Sequence, residues 1–490
     1  MRSCLIIAIV VSLAPVLPAQ AQHVPYLPRS APQWAFPGAA MDCDFAGSRY
    51  YNCPIDVQFT VNRVTSGMAQ DKQSGVWYAY APNIPRISSR GWLIEESTTN
   101  WTLHSRNLAI TTQLSVTGVT GAFTDGETLT ATGGGTGTYV LAESSPLAFL
   151  ALSGGSGTFT GTITGGTSGA TATIVSSAAV WAATNITAAL NATGIDGTAN
   201  SATTLTAGAA NGTILQAVTL ASATDVYGLH VKRVTGSGNI QATLDNSTFT
   251  TLSSANCVDS TGAASNIVTG AFVWCWISQA ALTNPIIGLK FATSGDVAVV
   301  DNNQLENTGM TYATSPVFTT YNPQFRALDA AQTTPGNRSS LLWGGATGTL
   351  YAIMGGSRNA AGAPIAPFTR GTTNRILLSA TTTIVTLVAN NSGSNATLGG
   401  GANTTGRTKI VVTWGNGSLA GNGIAANGGA FAAATLFGGA SNLGTATTTV
   451  LFDSLTTPTK FYDGYLERVA MSPSATNPSS VSSLSSLNAQ

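Results

Sequence analysis

Charge is the scarcest commodity in this chain. Of 490 residues, 20 are Lys or Arg and 20 are Asp or Glu, which is 8% of the sequence and a formal net charge of zero. Long-range capture of nucleic acid needs a basic field, and none exists here. Near-zero net charge also favours association between copies, so a homo-oligomer is expected rather than a monomer. Histidine is rarer still, with only His23, His104 and His230 present, which narrows the room for proton-transfer or zinc chemistry. Stretches of Glu, Lys and Leu with helical period are missing. Beyond the first 21 residues no run of about 18 uninterrupted apolar residues occurs, so no membrane-crossing helix is expected in the mature chain.

What the chain does have is glycine, 54 residues of it, with a 43% hydrophobic fraction that is enough to offset the entropy of ordering. Short apolar runs alternate with Gly, Ser, Thr and Asn, the pattern of many short strands joined by turns. The expected class is all-β: two β-sandwich or jelly-roll domains with a small Gly/Thr-rich β module inserted.

Residues 1–21 read as a secretory signal peptide. Arg2 supplies a positive start, Leu5 to Leu17 an apolar stretch, and Ala19-Gln20-Ala21 a small-x-small cleavage site. Pro15 and Pro18 interrupt a segment already too short to span a bilayer. Cysteine usage agrees with export. Cys4 leaves with the leader, and the remaining four fall as two local pairs, so Cys43–Cys53 and Cys257–Cys275 are the economical disulfides among three connectivities. Each would close a short loop and contribute ~2–3 kcal/mol. Zinc is the rival, but neither pair has a CxxC spacing and no His lies nearby in sequence.

Residues 22–57 are rich in Pro and aromatics (Tyr26, Trp34, Phe36, Tyr50, Tyr51) and suggest an extended arm pinned by the Cys43/Cys53 loop. Residues 58–115 form the most individual stretch. Residues 116–177 hold a degenerate repeat: Gly121-Ala122-Phe123 through Gly126, Thr130 and Gly133, then Gly157-Thr158-Phe159 through Gly161, Thr164 and Gly166. Each copy is predicted to be a pair of short hairpins. Residues 178–322 and 323–475 each carry six or more strand-like runs, the number a sandwich needs. Residues 476–490 are a Ser-rich tail.

Within residues 59–107 the order is Phe59-Thr60 with Arg63, Asn83-Ile84-Pro85-Arg86, Gly91-Trp92-Leu93-Ile94-Glu95-Glu96, Thr99-Asn100 and Ser105. This order resembles a segment of phage and prophage structural proteins, tail-appendage or head-associated, that runs FTR, N-x-PR, GLLIEE, TN and S. In that family a carbohydrate-binding-module-like jelly roll follows and ends in a QLE…ATS signature, matched here by Gln304-Leu305-Glu306 and Ala313-Thr314-Ser315. Gly464 to Met471, with Phe461 before it, is similar to the closing strand of a concanavalin A/laminin-G-like domain. The resemblance covers about two-thirds of the chain. It departs from the pattern at Trp92 and Trp101, which replace aliphatic residues, and at the 116–177 insert. The resemblance implies a virion component, whereas the leader implies a secreted extracellular protein. Both localisations remain open.

Catalytic constellations are sought without success. Glu95-Glu96 is the one conspicuous carboxylate pair, but neighbours on a strand point to opposite faces and cannot flank one glycosidic bond. The expected arrangement is one Glu bonded to Arg86 or Arg90 and the other solvated. Neither His104 nor His230 neighbours a Gly-x-Ser-x-Gly elbow, and Gly133-Gly134-Gly135-Thr136-Gly137 lacks the Lys of a phosphate loop. Calcium is the only candidate cofactor: Asp296, Asp301, Asn302 and Asn303 offer oxygens near a strand end, although a plain polar turn has the same composition. Trp274 and Trp276 share one face of a strand and would make a glycan platform if exposed; buried, they would be core, as would Trp343 and Trp414. The expectation is a non-catalytic phage-type structural or surface-binding protein for cell-surface glycan or polysaccharide. A secreted glycan-degrading enzyme and a ligand-free decoration protein are the alternatives.

Overall fold

A computed structural model describes residues 35–36, 39–53, 59–141, 148–307, 311–333, 348–355, 365–370, 375–380, 384–391, 394–402, 407–414, 423–427, 432–433, 449–450 and 464–472. The leader, Tyr26 and Trp34, Trp343, Phe461 and the Ser-rich tail lie outside them. Among the described residues there is no α-helix, and every pair of named strands is antiparallel. The all-β class follows from composition. Runs such as Gly348–Gly355 and Gly464–Ser472 are rich in β-branched, aromatic and aliphatic residues, which suit pleated and buried strands. Asn residues at 52, 83, 185, 200, 211, 246 and 284 take left-handed turn conformations that Asn tolerates.

A nine-stranded sheet joins the two ends of the chain. Its strand Gly464–Ser472 pairs with Met41–Asp44 and Gly91–Ile94, and along its other edge with Gly348–Gly355. Arg407–Trp414 and Gly423–Ala426 continue the sheet. Of the region expected as an extended arm, the described residues from Met41 on are built into this sheet. Residues 41–51 fold as a hairpin, with Cys43 opposite Tyr50 and Val469 on its two sides. The physical reason is that Met41, Cys43 and Phe45 are fully buried and need a sheet to pack in. Asp42 is buried too, and Arg468 donates to its carboxylate at 2.9 and 2.6 Å. A seven-stranded sheet runs from Phe59–Asn62 through Ala330–Thr333 and Thr449–Val450 to Ile365–Arg370, Arg375–Ala380, Ile384–Asn391 and Ser394–Ala402. Phe59 and Val61 of its first strand pack in the same core as Trp92, Leu350 and Leu466 of the nine-stranded sheet.

The stretch of chain between the early and late strands of these sheets forms a second two-layered unit. A five-stranded sheet (Ala182–Thr184, Gly212–Ala217, Ile286–Phe291, Ile240–Thr243, Thr250–Thr251) faces a six-stranded one. The latter runs Ile186–Ala192, Ala202–Ala207, Val297–Asn307, Ala223–Thr235, Val273–Leu282, Cys257–Val258. Ile214, Leu289 and Phe291 of the first meet Leu229, Val231 and Val300 of the second in one core. Both expected disulfides are formed. Cys43–Cys53 has Cα atoms 5.6 Å apart, and Cys257–Cys275 joins directly opposed residues with Cα atoms 4.0 Å apart. Bonds of this kind persist in oxidising compartments.

The Gly/Thr repeat is a closed six-stranded barrel, Thr128–Ala131, Thr136–Tyr139, Phe149–Ser156, Ile110–Thr120, Thr171–Ala179 and Thr162–Gly165. Each copy contributes three strands rather than two hairpins. The long first strands Ile110–Thr120 and Phe149–Ser156 pair with each other, and the second strands pair around Thr130 and Thr164. A lone hairpin would leave Phe123 and Phe159 half wet; closure buries both beside Leu129 and Ile163.

Candidate functional site

The family-like segment turns out to be internal architecture. Arg63, Arg86 and Arg326 are among the most fully buried large side chains of the described residues. Arg63 Nη1 donates to Asp329 Oδ1 at 2.6 Å, with Thr65 and Ala81 carbonyls taking its other N–H groups at 2.9 Å. Arg86 Nη1 donates to Glu95 Oε2 at 2.7 Å and Ser315 Oγ at 2.8 Å, and Arg86 Nη2 to Asp329. Burial works against the Arg86 charge, but Asp329 and Glu95 outweigh it and hold the guanidinium protonated more firmly than usual. For Arg63 burial wins and lowers the pKa despite Asp329. The Ser315 N–H donates to Glu95 Oε1 at 2.7 Å, and Glu306 accepts from Thr98 Oγ1 at 2.7 Å and the Thr314 N–H at 2.8 Å. Arg63, Arg86, Glu95, Thr98, Glu306, Thr314, Ser315 and Asp329 thus form one buried polar lattice that fastens residues 314–329 between the two two-layered units.

Of the two glutamates, Glu95 pairs with Arg86 as expected, whereas Arg90 donates to Gln70 and covers the ring of Tyr465 at 4.3 Å. Glu96 is not the solvated partner. It is half-buried, and burial raises its pKa against the opposing pull of Arg326.

Above this lattice opens a cleft of about 490 Å3. One wall is the hairpin Gly67–Gln70 with Trp77–Tyr80, and another is the short strand Gln324–Arg326 paired with Thr98–Asn100. Strand alternation decides what each wall presents. Trp77 and Arg326 turn inward, 1% exposed each, while Tyr78 and Phe325 turn outward at 51% and 54%. Met68, Asp196, Val317 and Phe318 complete the lining. Arg106 fixes that last side: it donates to both Asp196 oxygens at 2.8 Å and lies 4.1 Å over the Phe318 ring.

Two inward groups have hydrogen-bonding capacity left over. Among the described residues, neither Trp77 Nε1 nor any guanidinium nitrogen of Arg326 makes a hydrogen bond. The nearest carboxylate oxygen to Arg326 is Glu95 Oε2, 3.6 Å from Nη1, an ion pair without hydrogen-bond geometry. Unspent buried donors are costly, about 1–3 kcal/mol each, and their presence beside a cleft marks a place where a ligand acceptor is welcome.

Compared with protein-family models and with curated proteins, the chain matches none.

None of the candidate site residues singled out in sequence is among those lining this cleft. Trp274 is 3% exposed, stacked on His230 with ring centroids 5.5 Å apart and edge-on to Trp77 at 5.6 Å. Trp276, half-buried, packs 5.9 Å from Trp274. The pair therefore supports the cleft floor through Trp77. Asp296, Asp301 and Asn303 do not converge. Asp301 takes Arg106 Nε at 2.9 Å and the Ile195 N–H at 2.8 Å, Asn303 Oδ1 accepts from the Tyr227 hydroxyl at 2.6 Å, and Asp296 faces Arg233 at 3.6 Å. Asp301 and Asn303 lie inside the strand Val297–Asn307, which runs on past them, and Asp296 lies just before its start. Among the described residues no group of three His, Cys, Asp or Glu is placed to hold a metal. Sequence reasoning missed Tyr78, Phe325 and Arg326. The aromatic run Trp77-Tyr78-Ala79-Tyr80 was the only signal, since the opposing wall lies some 250 positions away.

Proposed function

We propose that the chain is a non-catalytic, phage-type structural or surface-binding protein that recognises cell-surface glycan or polysaccharide at the cleft between Tyr78 and Phe325. The reading takes the five- and six-stranded layers as the carbohydrate-binding-module-like jelly roll, and the nine- and seven-stranded layers as the concanavalin A/laminin-G-like sandwich. It places the protein outside the cell or on a virion, in an oligomeric assembly. One observation carries it: two outward aromatic rings flank a recess whose buried Trp77 and Arg326 donors are unspent. Sugars have apolar ring faces and dense oxygens, so exposed aromatics with nearby N–H donors suit them.

The test is a glycan array followed by titration with the full chain. Binding should appear, and Tyr78→Ala or Phe325→Ala should each weaken it about tenfold, the equivalent of ~1.4 kcal/mol for one lost ring contact. A folded protein that binds no glycan would defeat the reading. Incubation of any bound polysaccharide with the protein, followed by reducing-end assay, tests the non-catalytic part: released ends would overturn it.

A further inference from the structure

The charges around the cleft limit which glycans fit it. Arg326 is the only cation whose donors remain free at the recess among the described residues, yet carboxylates surround it. Glu95 is 3.6 Å away, and Glu96 and Glu306 lie close enough to feel its charge. On the opposite wall Asp196 faces the recess, with Asp301 behind it. The recess lining itself holds one cation, Arg326, already opposed by Glu95 at 3.6 Å, and one carboxylate, Asp196, already held by Arg106. An incoming carboxylate or sulfate therefore finds no unopposed cation, and giving up its water costs it more than it costs a neutral ring. An uncharged acceptor needs no unopposed cation. It can take hydrogen bonds from the guanidinium and from Trp77 Nε1, while Tyr78 and Phe325 cover the apolar faces of the ring.

We infer that the cleft selects neutral sugars, hexose or N-acetylhexosamine units whose hydroxyl or acetamido oxygens accept from Arg326 and Trp77, and that it discriminates against uronates and sulfated sugars. This rests on the glycan-binding reading above. The experiment is calorimetric titration of the full chain with two panels of matched length: neutral oligosaccharides (glucan, chito-oligosaccharide) and acidic ones (oligogalacturonate, sulfated galactan). Neutral members should bind at least tenfold more tightly than acidic ones. Glu96→Gln, half-buried and outside the cleft lining, should narrow that gap by strengthening acidic binding while leaving neutral binding within about twofold. Arg326→Lys should weaken the neutral panel, since a point charge cannot replace the planar fork.

The outcomes separate cleanly. Binding by neither panel sinks the glycan reading itself. Acidic members binding as well as or better than neutral ones, with sensitivity to Tyr78→Ala, leaves the glycan reading standing and overturns the selectivity. Neutral binding unaffected by Tyr78→Ala and Phe325→Ala, in variants with unchanged thermal unfolding, overturns the assignment to this cleft.

Discussion

A backbone oxygen dictates the identity of residue 91. Gly91 has φ of +112°, and a Cβ there would stand 2.7 Å from the Leu466 carbonyl oxygen and 2.9 Å from the Glu467 Cα. Gly91→Ala must therefore both strain its own backbone and push the central strand of the nine-stranded sheet, and should cost about 1–3 kcal/mol or more in chemical denaturation. An unchanged midpoint would refute the close approach. Arg86 carries a larger penalty. Its guanidinium compensates Glu95 and Asp329 where no water reaches, so Arg86→Gln should destabilise by about 3–5 kcal/mol, the range for breaking a buried ion pair from one side. A loss below 1 kcal/mol in the same denaturation experiment would mean the lattice is not needed for stability. The sequence made these two residues conspicuous but not their reason. Asp329 and Ser315, the partners that explain Arg86, are 243 and 229 positions away, and no local pattern encodes a contact of that range.

At the scale of elements, strand identity was far more legible than strand pairing. Alternating and apolar runs marked Ile286–Phe291 and Gly464–Ser472 nearly to their ends, since side-chain burial writes itself into local sequence. Closure of the barrel left no such trace, because a strand pairs the same way in a hairpin or in a cylinder. One polar residue reveals how the cylinder is held. Glu127, buried between the two repeat copies, accepts from the N–H groups of Thr124, Thr167 and Ser168 and from the Ser168 hydroxyl. Burial opposes its charge, but those donors outweigh it and depress the pKa from 4.5 to about 2. A depressed carboxylate stabilises the fold fully above its unfolded pKa, near 4.5, and loses that contribution as pH falls through about 2. Glu127→Gln should accordingly speed amide exchange at Thr124, Thr167 and Ser168 at pH 7. The difference from the parent should shrink below pH 4.5 and vanish near pH 2, whereas a gap independent of pH would show that the charge plays no part.

At the scale of the whole molecule, the sequence suggested modules strung in order, and the structure nests them. Met41–Asp44 and Gly91–Ile94 share one sheet with Gly348–Gly355 and Gly464–Ser472, so the intervening stretch of chain is an insertion in a unit that the chain starts early and finishes late. The reason is register: Met41 to Asp44 pairs with Arg468 to Met471, a contact that only the finished chain can make. Nesting predicts which part can be removed. The barrel begins and ends on neighbouring strands, with Thr112 opposite Ala179 and Ser115 opposite Ser176, and it has a core of its own. Its links to the inner core run through Ala151 and Val140, with the Phe149 ring stacked 5.1 Å from Tyr321. Replacing residues 116–175 by an Asn-Gly turn should therefore keep the hairpin register at its base. The shortened chain should form both disulfides and retain the Tyr78/Phe325 cleft, with a lower unfolding midpoint from the lost Phe149 and Ala151 contacts. Removing Phe59–Asn62 instead should abolish folding, because Phe59 and Val61 are embedded in the core that joins the two ends. Peptide mapping of the cysteines and denaturation of both variants decide the matter. If the barrel deletion misfolds as badly as the strand deletion, the barrel is a folding partner of the inner unit and not a separable insert.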